Sequence, residues 1–430
     1  VSVTSKEKSE PGKPVIDLDR LKSLVDGVNT FGIDPKTGGF NRIGYSDADM
    51  AARRWFAEQM AASGLAVTAD GVGNLFGRTG PADGPSIMAG SHLDTVPQGG
   101  AFDGTLGTCV ALECVRAIHD AGIKPSVAIE VVATAEEEGR FGGMLGSQAI
   151  AGQVTRDWLE TARDADGLRL ADAMTAQGFD MSAALGAARV PGSVLAFLEL
   201  HIEQGPVLER KGLQVGIADA VSGVSNLVVT LTGSANHSGT TPMDMRADAF
   251  AGLAEFAATI PSIIAESGTD QTRITIGKVD LTPNFPHTIP GTAEFSIITR
   301  DTDEDVMRAL LARLNDRLQA IAEKHGLACS TSERSWLSPV RLDAGLVAAL
   351  REEAEGLGLA HRVMPSGAGH DAQTMQSFCP SGLIFVPSRG GISHAPEEWT
   401  DWGDIEKGAQ LMLNMLVRLA ANGGQTSVAG

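Results

Sequence analysis

Short, strongly apolar segments recur through the chain with helical stretches between them, and this alternation restricts the fold more than any other feature. "SIMAG" (86–90) is followed by the helical pattern "GTCVALECVRAIHDAG" (107–122) and then by "VAIEVVATA" (127–135). "VLAFLELHI" (194–202) and "GLIFVPS" (382–388) supply two further runs. Runs this short and apolar read as strands covered on both faces. Helical crossovers between them predict an α/β fold with a mostly parallel central sheet and helices on both sides.

At 430 residues the chain exceeds what one hydrophobic core normally serves, so two domains are expected. The texture changes near Ser222: strand "NLVVTLTG", helix "RADAFAGLAEFAATIPSIIAE", strands "TRITIGKVDL" and "GTAEFSIITR", then helix "DEDVMRALLARLNDRLQAIAEKHG". This order is most of a small α+β sandwich. It predicts an insertion over 220–332 within a catalytic domain made of 15–219 and 333–430. Residues 1–14 and 422–430 are expected to be disordered tails.

With 34 basic against 53 acidic residues the formal charge is -19, which disfavours nucleic acid and anionic membranes as partners. Cys109, Cys114, Cys329 and Cys379 show no C-x-x-C spacing and sit among apolar neighbours, as reduced thiols in a cytoplasmic protein would. The first residues lack an apolar signal region, and no uninterrupted apolar run reaches membrane-spanning length.

In open α/β sheets ligands gather beyond the carboxyl ends of the strands. Four apolar runs lead there into "SHLD", "EEEG", "HIEQG" and "SRGGISH", bringing His92, Glu137 with Glu138, His201 and His394 towards one edge. Asp103 joins them through "VPQGGAFDG", where Gly99, Gly100 and Gly104 permit a tight turn. Three imidazoles with carboxylates suit two borderline divalent cations, Zn, Mn, Ni or Co, and a carboxylate shared between two ions is a common core of hydrolytic centres. Asp94, two residues after His92, is expected to take that ring's N–H with its carboxylate. Glu137 and Glu138 point in different directions, so one serves as ligand and the other as general base.

"GSHLDTVPQGGAFDGTLG", "EEEGRFGG", "LELHIEQGPVLE", "NHSGTTPMDMRADA", "SGAGHDA" and "GGISHAPEEWT" together resemble the hydantoinase/carbamoylase family of binuclear metal amidohydrolases over nearly the whole chain. The resemblance implies a zinc-aminopeptidase-like catalytic domain interrupted by a lid that also forms a homodimer. It implies one ion on His92, Asp103 and His201, and another on Asp103, Glu138 and His394. Glu137 matches the general base, Asp94 the orienting carboxylate, and His237 an oxyanion donor reaching the neighbouring subunit's site. Arg300, with Gln204, Asn284 and His287, matches positions that bind a carboxylate-bearing substrate. His370 and Asp371 match a position near the site without a role. Two departures stand out. "PNFPHTIPG" carries His287 where the family pattern has asparagine, and "EEEGRFGG" is one residue shorter before Arg140 than in many relatives, so no one relative's substrate transfers directly.

The expected reaction is hydrolysis of a linear amide or ureide, an N-carbamoyl amino acid or an allantoate-like carboxylate. Glu137 would take a proton from water and return it to the leaving nitrogen. Two alternatives remain: an N-acyl amino acid hydrolase or dipeptidase on the same metals, and a metal-binding protein without catalysis. Glu137 argues against the second, since binding needs no base.

Overall fold

The computed structural model describes residues 12–426, so the sequence expectations for 1–11 and 427–430 lie outside the described residues. Among the described residues two compact units emerge, one comprising 12–219, 342–364 and 369–426, the other 220–341 with 365–368.

The larger unit is built on a sheet in which nine strands are described: β1 (Ala66–Ala69), β2 (Leu75–Thr79), β3 (Ser86–His92), β4 (Ala128–Thr134), β5 (Val194–Ile202), β6 (Val215–Val221), β11 (Val340–Arg341), β12 (His361–Ser366) and β13 (Ser381–Val386). Their order is β1-β2-β4-β3-β5-β13-β6-β11, with β12 also on β6. The four central strands, β4, β3, β5 and β13, run parallel to one another. The flanks turn antiparallel at β2 and β6.

Every residue of β3 and β4 is buried, which follows from cover on both sides. Successive side chains divide between two cores. Ile87, Ala89 and Val131 face the helices Leu18–Val28, Thr105–Asp120 and Trp402–Ala421. Met88, Val132 and Phe385 face the opposite layer with Met364 and Met375. Thr105–Asp120 is sunk almost completely and starts immediately after Gly104. Gly104 has φ 60 and ψ -50, a conformation open chiefly to glycine, and it turns the chain from Asp103 into the helix.

The smaller unit contains β7 (Gly223–Thr232), β8 (Arg273–Thr282), β9 (Thr292–Asp301) and β10 (Ala328–Leu337), antiparallel in the order β10-β7-β9-β8. Strict alternation of burial along β7 marks a sheet with one covered face, and the helices Ala249–Ser267 and Glu304–Lys324 supply that cover through Phe256, Ile263, Leu310 and Leu314. β10 corrects the expected return at 333: the second unit extends to Arg341. Its sequence "ACSTSERSWL" is polar and mostly exposed, so no apolar alternation announced a fourth strand. The expected tail from 422 is also placed as far as Thr426, whose carbonyl accepts from Arg418 Nε at 2.9 Å.

Candidate metal centre

The parallel register explains why distant residues meet. His92 is the last residue of β3 and pairs with Thr134 of β4, while His201 in β5 pairs with Phe385 of β13. The segments after β4 and β13 then bring Glu137, Glu138 and His394 to the same edge. Asp103 sits in their midst. Its Oδ1 lies 3.5 Å from His92 Nε2 and 3.1 Å from His201 Nε2, and its Oδ2 lies 3.4 Å from His394 Nε2. Glu138 Oε2 is 3.4 Å from the same His394 nitrogen, and Glu137 Oε2 is 3.6 Å from His92 Nε2.

Two donor sets result, His92–Asp103–His201 and Asp103–Glu138–His394, each with its ligand atoms within 4.8 Å of one another. Bond lengths of about 2.1 Å in tetrahedral geometry separate ligand atoms by roughly 3.4 Å. The measured contacts match that spacing, and both sets use Asp103. The donor chemistry of borderline divalent cations is therefore met by the residues present.

The charges make the same point. Burial opposes ionisation of Asp103, but His201, His394 and His92 together hold its carboxyl well below the usual range. Burial pushes Glu137 well above that range, with His92 pulling against it and Glu138, Asp371 and Asp94 adding repulsion. Burial and Asp103 raise Glu138 to about 7, while the bond to Asp103 lifts His394 to about 9. Glu137 and Glu138 are thus biased towards retaining protons while Asp103 is not, and a divalent ion would relieve the repulsion among them.

The surroundings fix the donors. His201 Nδ1 bonds the Ile202 carbonyl at 2.9 Å. His92 Nδ1 bonds the backbone carbonyl of Asp94 at 3.0 Å, whereas the Asp94 carboxylate is 4.0 Å away, correcting the expectation that the side chain orients the ring. That carboxylate is drawn elsewhere: Oδ2 accepts from Glu138 N–H at 3.1 Å, and Oδ1 faces Arg53 at 3.7 Å. Gln204 Nε2 donates to Asp103 Oδ2 at 2.7 Å, so its amide is directed at the shared carboxylate. His370 packs edge-on against His201 with centroids 4.5 Å apart, and Asp371 is buried beneath.

Two supports escaped sequence reasoning. Glu398 Oε1 accepts from the N–H groups of Phe102 and Asp103 at 2.8 and 3.0 Å, and its Oε2 lies 3.0 Å from Ser393 Oγ, beside His394. One carboxylate thereby ties two ligand loops together. Arg42, with no exposed surface, donates to the Leu93 carbonyl at 3.0 Å and to Thr105 Oγ1 at 2.8 Å, bracing the turns on either side of the centre. The signal for Glu398 was its place in "SHAPEE", four residues after a ligand; Arg42 carried none.

The smaller unit holds the other expected site residues. His237 is exposed, pairs across a bridge with Thr288, and accepts from Gly239 N–H at its Nδ1 at 3.1 Å. His287 is exposed on the adjoining segment, and its carbonyl accepts from Ser238 N–H at 3.0 Å. Asn284, also exposed, has φ 49. Arg300, near the end of β9, is half-buried and donates to the Gly367 carbonyl at 2.6 Å.

An aminopeptidase-like α/β sheet with imidazoles and carboxylates on one edge defines the class of metal-dependent hydrolases. Residues 88–418 match the family described as peptidase family M20/M25/M40. The chain belongs to that family and, with it, to the hydantoinase/carbamoylase amidases. It is 38% identical to an N-carbamoyl-L-amino-acid amidohydrolase of Paenarthrobacter aurescens over 89% of this chain and 93% of the relative. It is also 38% identical to an allantoate amidohydrolase of Escherichia coli strain K12, over 93% and 97% of the two chains. Among solved structures, a hydantoinase/carbamoylase family amidase from Burkholderia multivorans superposes with a TM-score of 0.88 at 34% identity, covering 94% of this chain and 98% of the other.

Proposed function

We propose that this protein hydrolyses the amide-type C–N bond of a linear ureide bearing a carboxylate, an N-carbamoyl amino acid or an allantoate-like compound. The observation that carries the reading is the pair of donor sets sharing Asp103, with Glu137 beside them and outside both. Two divalent cations, Zn, Mn, Ni or Co, would be held by His92, Asp103 and His201 and by Asp103, Glu138 and His394. When bound they supply a nucleophile at neutral pH and polarise the scissile carbonyl. Glu137 takes the proton from water and passes it to the leaving nitrogen. Asp94 keeps Glu138 in place through its backbone N–H. Arg300, His287 and Asn284 receive the substrate carboxylate, Gln204 contacts substrate or Asp103, and His237 stabilises charge on the carbonyl oxygen.

A homodimer is part of the proposal, His237 acting in the partner's site. The helix Ala249–Ser267 supports it. This helix has the length and mean hydropathy of a membrane span, yet only part of it faces the core of its unit, and Phe250, Ala254, Ala258, Pro261 and Ala265 form an exposed apolar stripe. A cytoplasmic address fits the unpaired, buried Cys109, Cys114 and Cys379.

The test is turnover of N-carbamoyl amino acids and allantoate by cation-loaded protein and its Glu137→Gln variant. The variant should lose roughly 10²–10⁴-fold in kcat. Equal rates would remove the general base, and release of amines from N-acyl amino acids without ureide turnover would favour an acylase. Mixing Glu137→Gln with His237→Ala subunits should recover activity if the site is shared.

A further inference from the structure

A cavity of about 390 Å³ opens beside the metal centre within the larger unit. Ile43, Val96, Pro97 and Ala165 give it apolar walls, and Glu138, a member of the second donor set, lines it as well. Val96 N–H lies 3.4 Å from Glu138 Oε1, so the apolar wall adjoins a ligand directly.

Two of the four charged side chains in this lining are committed to each other. Arg140 Nε and Nη2 lie 3.1 and 3.0 Å from Asp164 Oδ2, and its Nη1 donates to the Gly44 carbonyl at 2.8 Å. The other Asp164 oxygen accepts from the N–H groups of Asp166 and Leu168 at 3.1 and 2.9 Å. Asp166 is exposed. A guest therefore meets aliphatic surface, a neutralised Arg140–Asp164 pair, and the carboxylates of Glu138 at the inner end and Asp166 at the exposed rim. An anionic group would meet Glu138 and Asp166, carboxylates of its own sign, and against the aliphatic wall a strongly polar group would lose water without equivalent bonds in return.

We propose that this cavity receives the α-substituent of the substrate and makes the enzyme selective for amino-acid derivatives with a neutral aliphatic side chain. It would disfavour glycine derivatives, which leave it unfilled, and allantoate, whose α-carbon carries a second, polar ureido group. The inference rests on the reading that the scissile bond is cleaved at the shared-Asp103 centre. A substituent a few bonds from that carbonyl then reaches past Glu138 into the cavity. Ala165, on the loop between Asp164 and Asp166, and Ile43 become the residues that set side-chain size.

The experiment compares kcat/KM for N-carbamoylglycine, N-carbamoyl-L-methionine, N-carbamoyl-L-phenylalanine and allantoate, with the corresponding N-acetyl amino acids in parallel, using cation-loaded protein. The methionine compound should exceed the glycine compound by roughly 10-fold or more, the scale of a filled against an empty apolar pocket. Ala165→Trp, on an exposed loop, should cut that ratio several-fold. Ile43→Ala, which widens the cavity, should instead raise the phenylalanine compound relative to the methionine compound. A wild-type ratio near one, or ratios unmoved in both variants, would overturn the pocket. If only N-acetyl compounds are hydrolysed, the ureide reading fails, and the pocket is judged on the same ratios in that series. Hydrolysis of neither series would overturn both.

Discussion

Replacing Gly104 by alanine strikes the centre where the backbone has least freedom. A Cβ added there would lie 2.3 Å from both Cε1 and Nδ1 of His92, and the residue sits at φ 60. Forcing an L-residue into left-handed backbone costs about 1–2 kcal/mol, and overpacking a buried site adds about 1–3 kcal/mol. The ring cannot swing aside cheaply, because its Nδ1 is bonded to the Asp94 carbonyl at 3.0 Å. Gly104→Ala should therefore lose roughly 2–5 kcal/mol of stability and, more tellingly, displace His92 from the set it forms with Asp103 and His201. Urea unfolding of the chelated protein measures the first effect, and elemental analysis after dialysis the second. Gly277→Ala is the control, since nothing lies within 4 Å of the position a Cβ would take there. A Gly104→Ala protein as stable as the control, with undiminished cation content and turnover, would refute the packing account of the turn.

Other outcomes can be checked alongside. Glu398→Ala leaves two buried N–H groups unpaired, at about 1–3 kcal/mol each, and should weaken cation retention, while Glu398→Gln, which keeps one acceptor, should recover part of it; identical cation affinity in all three proteins would remove the clamp. Exhaustive chelation should abolish turnover and addition of Zn²⁺ or Mn²⁺ restore it, as read by a ureide assay. Burial raises Glu136 from an ordinary 4.5 to about 8. Folded protein therefore holds a proton that unfolded chain releases, so this group's contribution falls as pH rises from about 4.5 to 8, by about 1.4 kcal/mol per unit. Glu136→Gln should flatten that part of the chelated protein's stability profile in denaturant titrations at pH 5.5 and 8; a matching slope would contradict it.

The candidate donors were legible in the sequence because four separate apolar runs lead into imidazoles or carboxylates, a joint placement that no single histidine would have signalled. Other relations lacked a local signature. Whether β2 and β6 run with or against the central strands depends on pairing partners, which composition does not encode. Asp94 could be read as a neighbour of His92, but the choice between its carbonyl and its carboxylate depended on Glu138 and Arg53 competing for the latter. Glu398 acts on N–H groups 296 and 295 positions away, a link that exists only after folding. β10 escaped because an exposed edge strand needs little apolar patterning.

The donors emerge from the ribosome in an uneven order. His92, Asp103, Glu138 and His201 are all translated before the segment 220–341 that forms the second unit, and His394 only after it. β5 must meanwhile wait for β13 to fill the place between itself and β6. A nascent chain can thus assemble the first trio early, whereas the second trio has to await residue 394, so on the proposed reading cation loading would report how far synthesis and closure of the sheet have progressed.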